Sequence, residues 1–196
     1  MKIATVVGAR PQFVKSSMVS KHLQERENIN EVIIHTGQHF DEIMSSVFFD
    51  QMGIPDPKYN LGINSLSHGA MTGRMLEKIE NIILSEKPDW VLVYGDTNST
   101  LAGGLSAVKL DVPIAHVEAG LRSLNMRMPE EINRIITDRV STLLFCPSEA
   151  SVRNLEKEGI GNIHGRRVVL SGDVMYDAYL HFSDSAQKIS SIISDL

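Results

Sequence analysis

The chain has 196 residues, of which 42% are apolar and 22% charged, with a formal net charge of -5. That length suits one domain, or one domain plus a fragment, and the composition is ordinary for a soluble globular protein. The acidic balance argues against nucleic acid or an anionic membrane as partner, since both demand a broad basic surface. A single cysteine, Cys146, rules out an internal disulfide and a cysteine-rich metal site.

Short apolar runs alternate with longer amphipathic stretches. The first run, Ile3 to Val7, breaks at Gly8-Ala9-Arg10-Pro11 and reads as a strand rather than a signal sequence. No stretch approaches the roughly 20 apolar residues needed to cross a bilayer, so a cytoplasmic protein without membrane partners is expected. Pro11 fits the first turn of a following helix, where its missing N–H costs nothing. Free amides at that helix start favour an anion, and Arg10 and Lys15 add two cations beside it. The alternative is a plain strand–helix turn with solvated cations. The segment is neither a three-glycine dinucleotide fingerprint nor a P-loop.

The second run, Val32 to His35, ends in Thr36-Gly37-Gln38-His39, where His39 either lines a site or satisfies local backbone at a helix start. Ile54 through Asn64 reads as a loop at the sheet edge. Met71, Met75, Ile79 and Ile82 form a 3.6-period stripe. The third run, Trp90 to Tyr94, closes with Gly95-Asp96-Thr97-Asn98-Ser99-Thr100. Thr97 or Asn98 suffices to cap the next helix, yet the carboxylate of Asp96 and four small polar side chains exceed what a cap requires. Gly103-Gly104 inside that helix costs about 1 kcal/mol per glycine against alanine, which implies close approach of another backbone or a ligand.

The fourth run, Ile114 to Val117, is followed by Glu118, a partly desolvated carboxylate suited to proton transfer. Arg122 either pairs with Glu118 or leaves it free. Pro129-Glu130-Glu131 opens a helix whose apolar stripe is Ile132, Ile135, Ile136 and Val140. On the opposite face Glu130 and Arg134 form either an exposed i,i+4 pair or one wall of a cleft. Leu143 to Cys146 and Val168 to Leu170 complete the strands, and Cys146 reads as a buried strand residue. A last helix is expected from about Gly172-Asp173 to Leu196. His68 and His116 lack metal-like spacing, so no metal site is expected.

Runs that are apolar without alternation belong to strands covered on both faces. The β–α alternation therefore predicts an α/β fold with a doubly wound, mostly parallel sheet and right-handed crossovers. In such sheets ligands bind at the carboxyl ends of the strands, which is where Asp96 and Glu118 fall.

Five segments in series resemble the non-hydrolysing UDP-N-acetylglucosamine 2-epimerases: Gly8 to Lys15, Thr36-Gly37-Gln38-His39, Gly95-Asp96-Thr97, His116 to Arg122 and Met128 to Arg134. Gly-Ala-Arg-Pro-Gln-Phe here stands where Gly-Thr-Arg-Pro-Glu is commoner. With Ser123 to Pro129, it is most similar to the branch that epimerises UDP-2,3-diacetamido-2,3-dideoxy-glucuronate.

The resemblance implies a Rossmann-like N-terminal domain of a GT-B fold over residues 1–172, with 173–196 starting an interdomain helix. It implies that the C-terminal UDP-binding half is missing, so that this half alone turns over poorly, and that the full-length family is dimeric. Asp96, Glu118 and Glu130 match the family's catalytic acids. Arg10, Lys15, Gln38, His39, Thr97, Arg122 and Arg134 match substrate-binding positions. The implied reaction inverts carbon 2 of a UDP-sugar by elimination and re-addition of UDP, with no metal or other cofactor. A GT-B glycosyltransferase half and a non-catalytic nucleotide-sugar module are the competing readings.

Overall fold

Seven strands form one parallel sheet: β1 (Lys2–Val7), β2 (Asn30–His35), β3 (Tyr59–Asn60), β4 (Trp90–Tyr94), β5 (Ile114–Val117), β6 (Leu143–Cys146) and β7 (Arg167–Leu170). The helices whose bounds fall within the described residues are α1 (Arg10–Gln24), α2 (His68–Glu86), α3 (Asn98–Lys109), α4 (Pro129–Val140), α5 (Glu149–Lys157) and α6 (Val174–Ile189). This computed structural model describes residues 1–38, 49, 52–163 and 165–189.

The strand order is β3-β2-β1-β4-β5-β6-β7, so the chain reverses direction between β1 and β4 and opens a crevice at their carboxyl ends. The apolar runs of β1 and β4 divide by alternation between two cores, while Leu144 and Cys146 of β6 pack in a third with Leu155 and Ile160. Ala4, Val6, Val91 and Val93 pack with Met75 and Ile79 of α2, and the stripe expected from Met71 to Ile82 is buried throughout. Ile3, Val7, Leu92 and Tyr94 face the other way, against Phe13 of α1. Both faces are therefore covered, as continuous apolar strands demand. Among the described residues no helix is long and apolar enough to cross a membrane.

Gly103 explains itself by packing. A Cβ there would stand 3.0 Å from Val93 Cγ1 and 3.2 Å from Val6 Cβ, so α3 lies directly on the sheet. The close approach is to side chains of β1 and β4, and neither a ligand nor a backbone accounts for it.

Two expectations need correction. The loop from Ile54 to Asn64 contains β3, which pairs with Ile34 and His35 at the sheet edge. The inward face of α4 is not its apolar stripe: Glu131, Asn133, Thr137 and Asp138 are buried, whereas Ile132 is 40% exposed. Glu131, Asn133 and Asp138 meet backbone groups and charged side chains at the strand ends, which call for polar partners. The last helix is described only to Ile189, and the expectation that it continues to Leu196 falls outside the described residues.

Candidate active site

The turn after β1 is held by Gln12, which is 1% exposed. Its Oε1 accepts from the N–H groups of Gly8 and Ala9 at 2.8 and 3.0 Å. Its Nε2 donates to the Tyr94 carbonyl at 2.9 Å and to Thr100 Oγ1 at 3.0 Å. The amide serves both sides at once, since an ionised carboxylate could accept from the two N–H groups but could not donate to Tyr94. The residue that joins the β1 loop to the β4 loop was visible in the sequence only as the departure of Gln from the commoner Glu.

Beside it, Gln38 Oε1 accepts from Ser99 N–H at 3.2 Å and from Ser99 Oγ at 2.9 Å, closing part of the first turn of α3. Thr97 caps that helix, its side chain accepting from Thr100 N–H. His39 lies outside the described residues.

Lys15, on the second turn of α1, forms an ion pair with Glu118 at the end of β5. Lys15 is buried and the Glu118 side chain is 19% exposed. The alternative pairing of Glu118 with Arg122 is not what forms. A Cβ on Gly95 would stand 3.0 Å from Glu118 Oε2 and 3.5 Å from Lys15 Nζ, so this pair lies directly over the turn that presents Asp96. Asp96 is held from α4: Arg134 NH2 reaches its Oδ2 at 2.5 Å, and Asn133 Nδ2 donates to its carbonyl at 2.8 Å. Arg10 occupies the exposed first position of α1.

The pairing expected between Glu130 and Arg134 gives way to one with the neighbouring acid, Glu131, whose Oε2 lies 2.6 Å from Arg134 NH1. Glu131 points inward, where it also accepts from the backbone N–H groups of Ser123 and Leu124. Burial pushes its carboxyl up, but these donors and Arg134 hold it below the usual carboxylate range. Glu130 is half-buried on the first turn of the helix whose Asn133 and Arg134 grip Asp96.

Arg122 is 3% exposed at its side chain and engages Glu158 through two contacts of 2.6 and 2.8 Å and Asp138 at 2.7 Å. Burial would lower its guanidinium, but the two carboxylates reverse this and raise it. A hollow of about 850 Å³ lies between α1, α6 and strands β4 to β6, lined by Met18, Leu23, Leu92, Val117, Phe145 and Leu180 among others. Among the described residues none of the candidates lines it. Among the described residues no group of three or more His, Cys, Asp or Glu side chains is placed to hold a metal.

Chemically, two carboxylates stand at the ends of adjacent strands beside the point where the sheet reverses, Glu118 paired with Lys15 and Asp96 with Arg134, which Glu131 shares. Proton transfer needs acids that a substrate can reach, and an anionic leaving group needs cations close by. A doubly wound α/β domain with charged groups at the carboxyl ends of its strands presents a ligand crevice there.

The family model for UDP-N-acetylglucosamine 2-epimerase matches residues 21–195, and the chain belongs to that family. It is 60% identical, over 186 residues covering 95% of this chain and 52% of the relative, to a UDP-2,3-diacetamido-2,3-dideoxy-D-glucuronate 2-epimerase of Pseudomonas aeruginosa. The crystal structure of Methanocaldococcus jannaschii UDP-GlcNAc 2-epimerase in complex with UDP-GlcNAc and UDP superposes with a TM-score of 0.93 at 45% identity, over 99% of this chain and 52% of that one. The Neisseria meningitidis enzyme bound to UDP-GlcNAc gives 0.89 at 33% identity, over 100% and 52%. The chain thus spans about half the length of the relatives it matches.

Proposed function

We propose that the protein inverts carbon 2 of a UDP-N-acetylhexosamine, with Asp96, Glu118 and Glu130 as the proton-transfer groups. The observation that carries this reading is the delivery of Asp96 and Glu118 to the ends of neighbouring strands, paired separately with Arg134 and Lys15. One acid would serve a simple displacement. Inversion at a carbon needs proton transfer at both of its faces.

The carbon-2 hydrogen of such a sugar is not acidic enough for direct removal and return. A carboxylate takes it as the bond from carbon 1 to the diphosphate oxygen breaks, so that UDP departs with that electron pair and a 2-acetamidoglucal-type alkene remains. An acid on the opposite face then protonates carbon 2 while UDP adds back to carbon 1. A positioned base contributes roughly 10²- to 10⁴-fold. Stabilising the departing diphosphate supplies much of the rest, and Arg10 and Lys15 are assigned that role. Thr97 and Gln38, which organise the start of α3, bring its first turn to the sugar nucleotide. Arg122 enters as a brace for the Glu118 loop, since its charge is engaged inside the fold.

The domain reading, residues 1–172 as the N-terminal unit with 173–196 leading onward, accords with relatives about twice as long. The family similarity supports a UDP-sugar as ligand, and we extend it to a homodimeric, cytoplasmic enzyme. Whether carbon 6 bears a hydroxymethyl or a carboxylate is decided by assaying both UDP-sugars. The longest form of the polypeptide that shows turnover, incubated with each in D₂O and no acceptor, is expected to interconvert the 2-epimers and place deuterium on carbon 2. Strict dependence on an acceptor, with no label at carbon 2, would overturn the proposal in favour of a glycosyltransferase.

A further inference from the structure

His116 lies on β5 two residues before Glu118, and Asp138 lies on the inward face of α4; both side chains are 0% exposed. The imidazole Nδ1 is 2.7 Å from Asp138 Oδ1, and Nε2 is 2.7 Å from the carbonyl oxygen of Gly95. A carboxylate and a carbonyl are both acceptors, so the two contacts are satisfied together when both ring nitrogens donate. Asp138 Oδ2 accepts in turn from Gly120 N–H at 3.1 Å and from Arg122 NH1 at 2.7 Å. Burial pushes the Asp138 carboxyl up, but His116 and Arg122 prevail and hold it below its usual range.

One carboxylate therefore ties down residues 116 and 120, on either side of Glu118. Through the His116 ring it also holds the Gly95 carbonyl, which precedes Asp96. This matters because the backbone there is unusual. Glu118 has φ +72°, a left-handed conformation that side-chain-bearing residues rarely adopt, and Gly95 has φ +63°. Glycine adopts such a φ freely, but at Glu118 it persists only where the surroundings over-determine it. Ala119 N–H donating to the Phe145 carbonyl at 3.0 Å, and Gly95 N–H to the Val117 carbonyl at 2.9 Å, complete the clamp.

We propose that His116 and Asp138 form a buried imidazolium–carboxylate positioning pair that sets Asp96 and Glu118 at their working geometry. Neither touches the reacting sugar; they act through the two turns. Their kinetic consequence rests on the epimerase reading above, whereas the charge state of the ring does not.

Two measurements test it. In the ¹⁵N-labelled chain at neutral pH, the His116 ring, assigned by loss of its signals in His116→Gln, is expected to show both nitrogens protonated. A neutral ring with one protonated nitrogen would overturn the pair. In the longest form that turns over, Asp138→Asn, with far-UV circular dichroism unchanged, is expected to lower kcat by about 10- to 100-fold, the scale of a 1 Å misplacement. KM should stay within about threefold, because substrate binding is not what the pair supplies. An unchanged kcat, or a rise in KM alone, would refute the positioning role. If Asp138→Asn fails to fold, or the wild type shows no turnover, the ring spectrum still decides the pair; the second outcome bears on the epimerase reading alone.

Discussion

Arg134 stands between two carboxylates, with NH2 2.5 Å from Asp96 Oδ2 and NH1 2.6 Å from Glu131 Oε2. Because Glu131 also accepts from the N–H groups of Ser123 and Leu124, one guanidinium couples Asp96 to the loop before α4. Arg134→Met leaves two partly or fully buried acids short of a donor and is expected to destabilise the chain by on the order of 2 kcal/mol. Arg134→Lys should fall between, since an ammonium lacks the planar fork that serves both acids at once. Urea unfolding midpoints give the comparison, and an unaltered midpoint for Arg134→Met would contradict the coupling.

Adjacent glycines in α3 should respond in opposite directions to alanine. At Gly103 the new methyl would press on Val93 and Val6 at 3.0 and 3.2 Å. That overpacking costs about 1–3 kcal/mol and outweighs the gain in helix propensity of about 1 kcal/mol. At Gly104 the nearest atoms are Thr137 Cγ2 at 3.7 Å and Val140 Cγ2 at 3.8 Å, ordinary contacts. Gly104→Ala should therefore raise the melting temperature while Gly103→Ala lowers it.

Glu86 sets an acid limit on the sheet edge. Hydrogen bonds from Lys58 and Tyr59, each 2.6 Å long, and one from Lys2 at 3.1 Å lower its pKa from 4.5 to about 2. A carboxyl lowered in the folded state stabilises above its unfolded value, and that stability is lost as protons bind. The loss should fall between pH 4.5 and about 2. Glu86→Gln is expected to flatten this part of a stability–pH profile, and a profile equally steep in the variant would count against the assignment.

Glu31 has the opposite sign. Burial raises its pKa above 4.5 despite hydrogen bonds from Thr5 at 2.5 Å and Ser20 at 3.1 Å, and its Oε2 has no hydrogen-bond partner among the described residues. Its contribution is greatest below pH 4.5 and falls as pH rises through the folded value. Glu31→Gln removes the buried ionisation. It should raise the melting temperature at pH 7 by about 2–4 °C, roughly 1 kcal/mol at this length, with the gain shrinking towards pH 4. Equal gains at both pH values would refute the account.

Cys146 is fully buried at the end of β6, and burial pushes its thiol up to about 11. The thiolate is the reactive form, so a disulfide reagent at pH 8 should label the native chain only at its unfolding rate. Stoichiometric labelling within seconds, without denaturant, would contradict this placement.

The seven-stranded architecture was largely legible in the chain. Apolar runs without alternation belong to strands covered on both faces, and the Met71, Met75, Ile79 and Ile82 stripe marks a helix against them, because burial follows local periodicity. The two-residue β3 escaped notice: it is too short to show a period, and its identity as a strand lies in its pairing with Ile34 and His35. Gln12 escaped as well, since nothing local distinguishes an amide bridging two loops from an exposed one.

The order of apolar runs and the polar residues closing them determined that Asp96 and Glu118 emerge at one edge of a parallel sheet. Which charges meet there was decided by the tertiary structure alone. Lys15, 103 residues away in the chain, takes Glu118 in place of nearby Arg122, while Arg134 takes Glu131 and Asp96 in place of Glu130. The inward face of α4 is likewise polar, against its own apolar periodicity. The physical reason is common to all three. Where a helix start meets the strand-end loops, unpaired backbone N–H groups and buried charges demand partners, and their positions exist only once the sheet has assembled.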